Sequence, residues 1–230
     1  MPLLQDALCA VVPTWNEAER IGPLLGALRA EVDELVVVDG HSEDETAPRA
    51  VAGGARVVHA ARGRAAQLQA GVEASRAPLL WFVHADSAVW PGSGAAIKAA
   101  AGAADWGCLQ VEIDDPDPRL RFTAWWMNAR ARHVRSATGD MGVWARRSAL
   151  ASVGGWPQVA LCEDLALCAA LRPAFAFAAL SQPIGTSARR WRGAGVQRTI
   201  LTMWAVRAAW QLGAPPAALA WLYEGRRPRR

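Results

Sequence analysis

At 230 residues, with 52% hydrophobic and 20% charged side chains, the chain can bury about 70% of its unfolded surface around one core. That excludes a disordered, collagen-like or disulfide-dependent protein. Its 25 basic and 21 acidic residues sum to +4, but residues 1–118 carry 8 basic and 17 acidic side chains (−9) whereas residues 119–230 carry 17 and 4 (+13).

The first half alternates short apolar runs with helix-spaced segments. Runs at Leu8–Val12, Leu35–Val38, Arg56–His59 and Leu79–Val83 are continuous rather than alternating, the pattern of parallel strands covered on both faces. Between the first two, Ile21, Leu24, Leu25 and Leu28 have helical spacing, with Asn16 as the expected N-cap and Glu17 and Glu19 in the first turn. The class is α/β. Further on, a strand is predicted over Gly107–Ile113, then the acidic turn Asp114-Asp115-Pro116-Asp117-Pro118. A helix follows over Arg119–Arg135 with Trp125, Trp126 and Met127 on its apolar side, then a strand at Gly142–Ala145. The Gly154-Gly155-Trp156-Pro157 turn precedes a helix over Glu163–Leu171, and a helical region from about Gly195 leads to a basic tail with Arg226, Arg227, Arg229 and Arg230.

Cys9, Cys108, Cys162 and Cys168 form neither CxxC nor zinc spacing, as expected of buried thiols in a reducing compartment. No secretory signal is visible, and the apolar stretch Ala208–Tyr223 is shorter than the roughly 20 residues of a membrane span. A cytoplasmic protein is expected. The basic second half suits an anionic partner. Its arginines follow no nucleic-acid motif, so no nucleic acid is expected. Arg130, Arg132 and Arg135 follow an aromatic stretch, a combination that could rest peripherally on the inner face of an anionic membrane.

In an open parallel sheet, ligands bind outside the carboxyl ends of the strands. Strand one ends in Pro13-Thr14-Trp15-Asn16-Glu17, strand two in Asp39-Gly40, strand three near Arg62-Gly63-Arg64 and strand four in His84-Ala85-Asp86. The first βα turn has no GxGxxG, the chain no P-loop and no GxSxG elbow, which disfavours dinucleotide binding, NTP hydrolysis and α/β-hydrolase chemistry. Asp39 also suits a local turn into Gly40-His41-Ser42.

These residues carry a resemblance. Pro13-Thr14-Trp15-Asn16-Glu17, Asp39-Gly40-His41-Ser42-Glu43-Asp44-Glu45-Thr46, His84-Ala85-Asp86-Ser87, Gly139-Asp140-Met141-Gly142, Glu163-Asp164 and Ser187-Ala188-Arg189-Arg190-Trp191 resemble, in that order, a family 2 glycosyltransferase of the GT-A fold. More narrowly they resemble the small selenodomain-associated transferase 2 subgroup, from about residue 8 to Tyr223. The resemblance implies one GT-A-like domain over 1–230, with a mostly parallel central sheet flanked by helices. Its nucleotide-binding half reaches about residue 90 and its metal and acceptor half about 195, and a helical, basic extension follows.

The resemblance also implies roles. Pro13, Trp15, Glu17, Asp39 and Arg64 would hold the nucleotide, with Asp39 accepting from a uracil-like imide, which makes UDP the expected carrier. His84 and Asp86 occupy the place of the metal motif. Two residues apart at a strand end, they would share a face and one divalent ion, Mn²⁺ favoured over Mg²⁺ because imidazole suits it. Asp164 would be the base that deprotonates a hydroxyl acceptor, for which a lipid-linked molecule is one candidate, in an inverting transfer, with Glu163 orienting neighbouring groups. Asp140 and Trp191 would face the acceptor. Arg189, Arg190 and Arg192 would bind the diphosphate. Gln is frequent where this chain has Met141. The competing readings are a nucleotidyltransferase of similar architecture and a non-catalytic nucleotide- or membrane-binding module.

Overall fold

The computed structural model describes residues 6–224, so the four terminal arginines lie outside the described residues. In chain order the elements are β1 (Leu8–Thr14), α1 (Ala18–Leu28), β2 (Glu34–Asp39), α2 (Thr46–Ala52), β3 (Arg56–His59), α3 (Arg64–Ala74), β4 (Leu79–Phe82) and β5 (Ser87–Val89). There follow α4 (Ser93–Ala100), β6 (Trp106–Asp114), α5 (Pro118–Val134), a 3₁₀ turn at Gly139–Met141, β7 (Trp144–Arg146) and α6 (Arg147–Ser152). The chain goes on through α7 (Glu163–Leu171), β8 (Phe177–Ser187), α8 (Arg189–Ala194), α9 (Val196–Gln211) and α10 (Pro216–Glu224).

One mixed sheet runs β3-β2-β1-β4-β7-β6-β8-β5. β1 to β4 are mutually parallel, β6 and β8 are parallel to each other, and β7 and β5 are antiparallel to their neighbours. The continuous apolar runs are explained by burial on both faces. On β1, Cys9 and Val11 join the layer that contains Leu68 and Val72 of α3, while Leu8, Ala10 and Val12 join the layer that contains Ile21 and Leu25 of α1. Thr14 lies beside Asp39 and Asp39 beside His59 in the register, so β1, β2 and β3 end level with one another. The buried Gln67 of α3 donates to the carbonyls of Thr14 and Val38 at 2.7 and 2.8 Å, pinning β1 and β2 where the rim opens.

Several expectations need correction. Asn16 does not cap α1. Its φ is +54°, which turns its amide oxygen away from the helix to accept from the Glu43 N–H. The first amides of that turn are satisfied from the next loop instead, Glu17 N–H by Thr46 Oγ1 and Ala18 N–H by Asp44 Oδ2. On α5 the buried stripe is Leu120, Thr123, Ala124, Met127 and Ala131, spaced at three and four residues. Trp125 and Trp126 fall outside that stripe, 59% and 47% exposed, so only Met127 of the expected trio faces the core. The strand expected from Gly142 starts at Trp144, because Gly142 itself (φ +55°) closes the 3₁₀ turn in the left-handed region. Among the described residues no helix is long and apolar enough to cross a membrane.

Candidate active site

The carboxyl ends of β1 to β3 make a rim with an exposed aromatic and a cluster of bases. Trp15 is 40% exposed, and the Arg62 guanidinium lies 3.3 Å over its ring. His41 and His59 stack with centroids 5.8 Å apart. Asp39 is 1% exposed. Its carboxylate accepts from the N–H and hydroxyl of Ser42 and from Thr14 Oγ1, and His59 Nδ1 stands 3.5 Å away. With its oxygens so engaged, Asp39 holds the turn that shapes the rim. Pro13 lies near the end of β1 opposite Val38. Glu17 is committed on both oxygens, to Arg20 at 2.8 Å and to Arg189 at 3.4 Å. That last pair ties α8 to the first loop across 172 residues.

A second group forms where α7 begins. Asp164, in its first turn, accepts the Gly139 N–H at 2.9 Å through Oδ2. The carboxylate and the 139–141 turn are therefore one unit. Asp140, next in that turn, meets His84 Nδ1 at 3.2 Å. Burial alone would raise the Asp140 carboxyl, but the His84 hydrogen bond and the charges of His84, Arg64 and Arg190 outweigh it and hold the group below the usual carboxylate range. Glu163 is buried 3.8 Å from Arg64. Desolvation, and next the charge of Asp164, push its carboxyl upward despite Arg64. Arg64 opens α3 directly after the Arg62-Gly63 turn, so it links the rim to this acidic pair. Arg190 sits 4.0 Å over the Tyr223 ring.

The remaining expected residues diverge. Arg192 binds Asp115 through two hydrogen bonds of 2.6 and 2.8 Å, a bidentate pairing. Trp191 is 3% exposed within the larger core layer, so it packs the fold and not an acceptor path. β4 stops at Phe82, and residues 84–87 form a turn closed by the Ser87 N–H on the His84 carbonyl at 3.1 Å. The strand period therefore does not apply to His84 and Asp86. His84, 6% exposed, faces Asp140 and lies against the bare Cα of Gly139. Asp86 is partly exposed and lines a groove with Glu19 and Arg20 of α1.

Among the described residues no three His, Cys, Asp or Glu side chains gather closely enough to hold a metal alone. A partly exposed carboxylate at the sheet edge, with a buried imidazole on the same turn, fits a divalent ion that takes most of its ligands from a diphosphate and water. Arg62, Tyr223, Arg130 and Arg207 were not among the expected site residues. The Arg62-Gly63-Arg64 turn and the solitary tyrosine of the chain were the available signals for the first two.

Residues 9–144 match the model of Glycosyl transferase family 2. A stretch of 55 residues is 53% identical to glucosyl-3-phosphoglycerate synthase of Mycolicibacterium smegmatis, covering 21% of this chain and 17% of that protein. Another of 85 residues is 38% identical to an uncharacterized glycosyltransferase of Mycobacterium tuberculosis, covering 36% and 38%. The matches thus span well under half of these curated relatives. Among solved structures, glucosyl-3-phosphoglycerate synthase from Mycobacterium tuberculosis in complex with Mn²⁺, UDP-glucose and phosphoglyceric acid superposes with TM-score 0.64 at 19% identity, over 85% of this chain and 77% of that one. Mannosyl-3-phosphoglycerate synthase from Rubrobacter xylanophilus gives 0.62 at 18% identity, over 90% and 75%. These likenesses show the fold, a mixed GT-A sheet flanked by helices.

Proposed function

The chain belongs to glycosyl transferase family 2, and from that premise we propose that it moves a sugar from a UDP-linked donor to an acceptor hydroxyl with inversion at the anomeric carbon. The observation that carries this reading is the Asp164–Gly139 hydrogen bond of 2.9 Å. It fixes a carboxylate beside the Asp140–His84 pair and Arg64, at the carboxyl edge of the sheet where donors bind in such folds. The solved neighbours with UDP and Mn²⁺ or Mg²⁺ support the choice of carrier and ion.

In the proposed reaction, Asp164 takes the proton of the acceptor hydroxyl as its oxygen bonds to the anomeric carbon. The bond from that carbon to the β-phosphate oxygen breaks, and its electron pair leaves on UDP. Arg64, Arg189 and Arg190 place positive charge where the diphosphate departs. A divalent ion held by Asp86, with His84 beside it, would add Lewis-acid stabilisation of the same leaving group. Trp15 and Arg62 offer a stacked platform for the nucleoside, Pro13 and Asp39 shape the loop under it, and Glu17 positions Arg189. Glu163 keeps Arg64 in place and Asp140 keeps His84 in place.

Four free buried cysteines suit a reducing cytoplasm. Phe122, Trp125, Trp126, Leu201 and Trp204, exposed on α5 and α9, suit a peripheral contact with a membrane and hence a lipid-linked acceptor. The donor site is tested by thermal shift. UDP is expected to raise Tm more in Mn²⁺ than in EDTA, and more than GDP or CDP does. Equal shifts in Mn²⁺ and EDTA would leave the diphosphate to the arginines alone, and no shift with any nucleoside diphosphate would remove the donor site.

A further inference from the structure

Beside Asp164 the structure holds a cavity of about 130 Å³ between α5, α7 and α9. Its walls are largely apolar, with Trp126, Met127, Ile200, Met203 and Trp204 among them. Two arginines from different helices also line it, Arg130 of α5 and Arg207 of α9. Both lean on the same neutral residue: Arg130 Nε donates to the Ser136 carbonyl at 3.1 Å, and Arg207 Nη2 to the Ser136 hydroxyl at 2.6 Å. Among the described residues, neither guanidinium has a carboxylate within 4 Å. Arg130 Nη2 is buried without a hydrogen-bond partner, and so is Oγ1 of Thr138, a third polar group lining the cavity.

Asp164 and Glu163 line the same cavity and Asp164 acts on both guanidiniums from beyond ion-pair distance, yet two like charges crowded there without a direct partner are costly, and buried donors left unpaired add to the cost. Burial, then the charge of Arg207, bring the Arg130 guanidinium down to about 10, and burial lowers Arg207 as well. An arrangement that costs stability in the free protein and lies next to the candidate base is what a site for an anion requires. Guanidinium forks match the paired oxygens of phosphate and carboxylate.

We propose that this cavity binds an anionic group of the acceptor, phosphate or carboxylate, between Arg130, Arg207 and the Thr138 hydroxyl, so that the acceptor is an anionic alcohol whose hydroxyl reaches Asp164. The inference rests on the reading of Asp164 as the base. The apolar walls admit either a small phosphorylated hydroxy acid or the headgroup of an anionic lipid.

The test is calorimetric titration at fixed ionic strength with 3-phosphoglycerate, inorganic phosphate and neutral glycerol, and co-sedimentation with phosphatidylglycerol or phosphatidylcholine vesicles. UDP is titrated in parallel. Arg207→Met is expected to weaken binding of the anionic probes at least about 10-fold and to leave UDP affinity unchanged. Thr138→Val removes a hydroxyl with no partner among the described residues, so its Tm should not fall, yet anion affinity should drop roughly 3- to 10-fold. That second variant keeps the test open if Arg207→Met folds poorly.

Binding of the soluble anions identifies a soluble acceptor, and binding of phosphatidylglycerol vesicles alone identifies a lipid one. Either supports the proposal when the variants lose it. If no anionic probe binds, or the variants bind as tightly as the wild type, the proposal is overturned, while normal UDP affinity leaves the transferase reading standing. Absence of UDP binding in the wild type would instead remove the transferase reading.

Discussion

Asp164→Asn is expected to bind UDP as the wild type does and to lose sugar transfer by about 100- to 10,000-fold, the usual scale for a missing general base. The substitution keeps size and shape. The asparagine carbonyl oxygen can still accept the Gly139 N–H that Asp164 Oδ2 accepts at 2.9 Å, at the expense of the Leu165 N–H that Oδ1 accepts at 2.7 Å, so the 139–141 turn should stay in place. What is lost is the ability to take a proton. Asp164→Ala separates the two roles, because it leaves the Gly139 N–H unpaired as well. It should add a stability loss of about 1–3 kcal/mol, readable as a lower denaturant midpoint. An Asp164→Asn protein that transfers sugar at the wild-type rate would take Asp164 out of the proposed chemistry.

Gly139→Ala carries the second large effect. A Cβ at this position would stand 2.5 Å from Cε1 and Nε2 of His84, closer than such contacts permit. His84 is poorly placed to yield, since it is buried and its other ring nitrogen is held by Asp140 at 3.2 Å. Either His84 leaves Asp140 or the turn leaves Asp164. Displacements of about 1 Å in a catalytic arrangement can cost about 100-fold in rate, and a loss of that order in kcat is the expected result. Overpacking should also cost about 1–3 kcal/mol of stability. Gly26→Ala on α1, where no atom lies within 4 Å of the new Cβ, is the matched control and should keep full activity with unchanged or slightly raised stability. A Gly139→Ala enzyme of normal kcat would mean that the His84–Asp140–Gly139–Asp164 chain does not position anything the reaction needs.

The rim was legible in the sequence because β1, β2 and β4 are continuous apolar runs that give way to polar residues. Where β1 and β2 end, the structure places Thr14 beside Asp39 as the runs imply. Glu163 and Asp164 were legible as the start of α7 for a similarly local reason. Long-range pairings were not. Of three nearly consecutive arginines, Arg189 turns to Glu17, Arg190 to Tyr223 and Arg192 to Asp115, and only the folded chain decides which partner lies within reach. The Trp191 indole could not be assigned to core or site without knowing which face of α8 packs down. β8 escaped detection because Ser181, Gln182, Pro183 and Gly185 interrupt it, residues that weaken a strand signal. Its pairing with β6 shifts register between Cys108 and Gln110. Arg130 and Arg207 lie 77 residues apart and meet only because α5 and α9 both border the cavity beside α7.

The most direct measurement follows the sugar itself. UDP-sugars are incubated with the enzyme, Mn²⁺ and an anionic hydroxyl acceptor, and the products are read by NMR. The account predicts that UDP appears only when acceptor is present, and that the sugar ends on the acceptor hydroxyl with its anomeric configuration reversed. Retained configuration would contradict a single displacement assisted by Asp164. Transfer of a nucleotidyl group with no free UDP would contradict sugar transfer altogether.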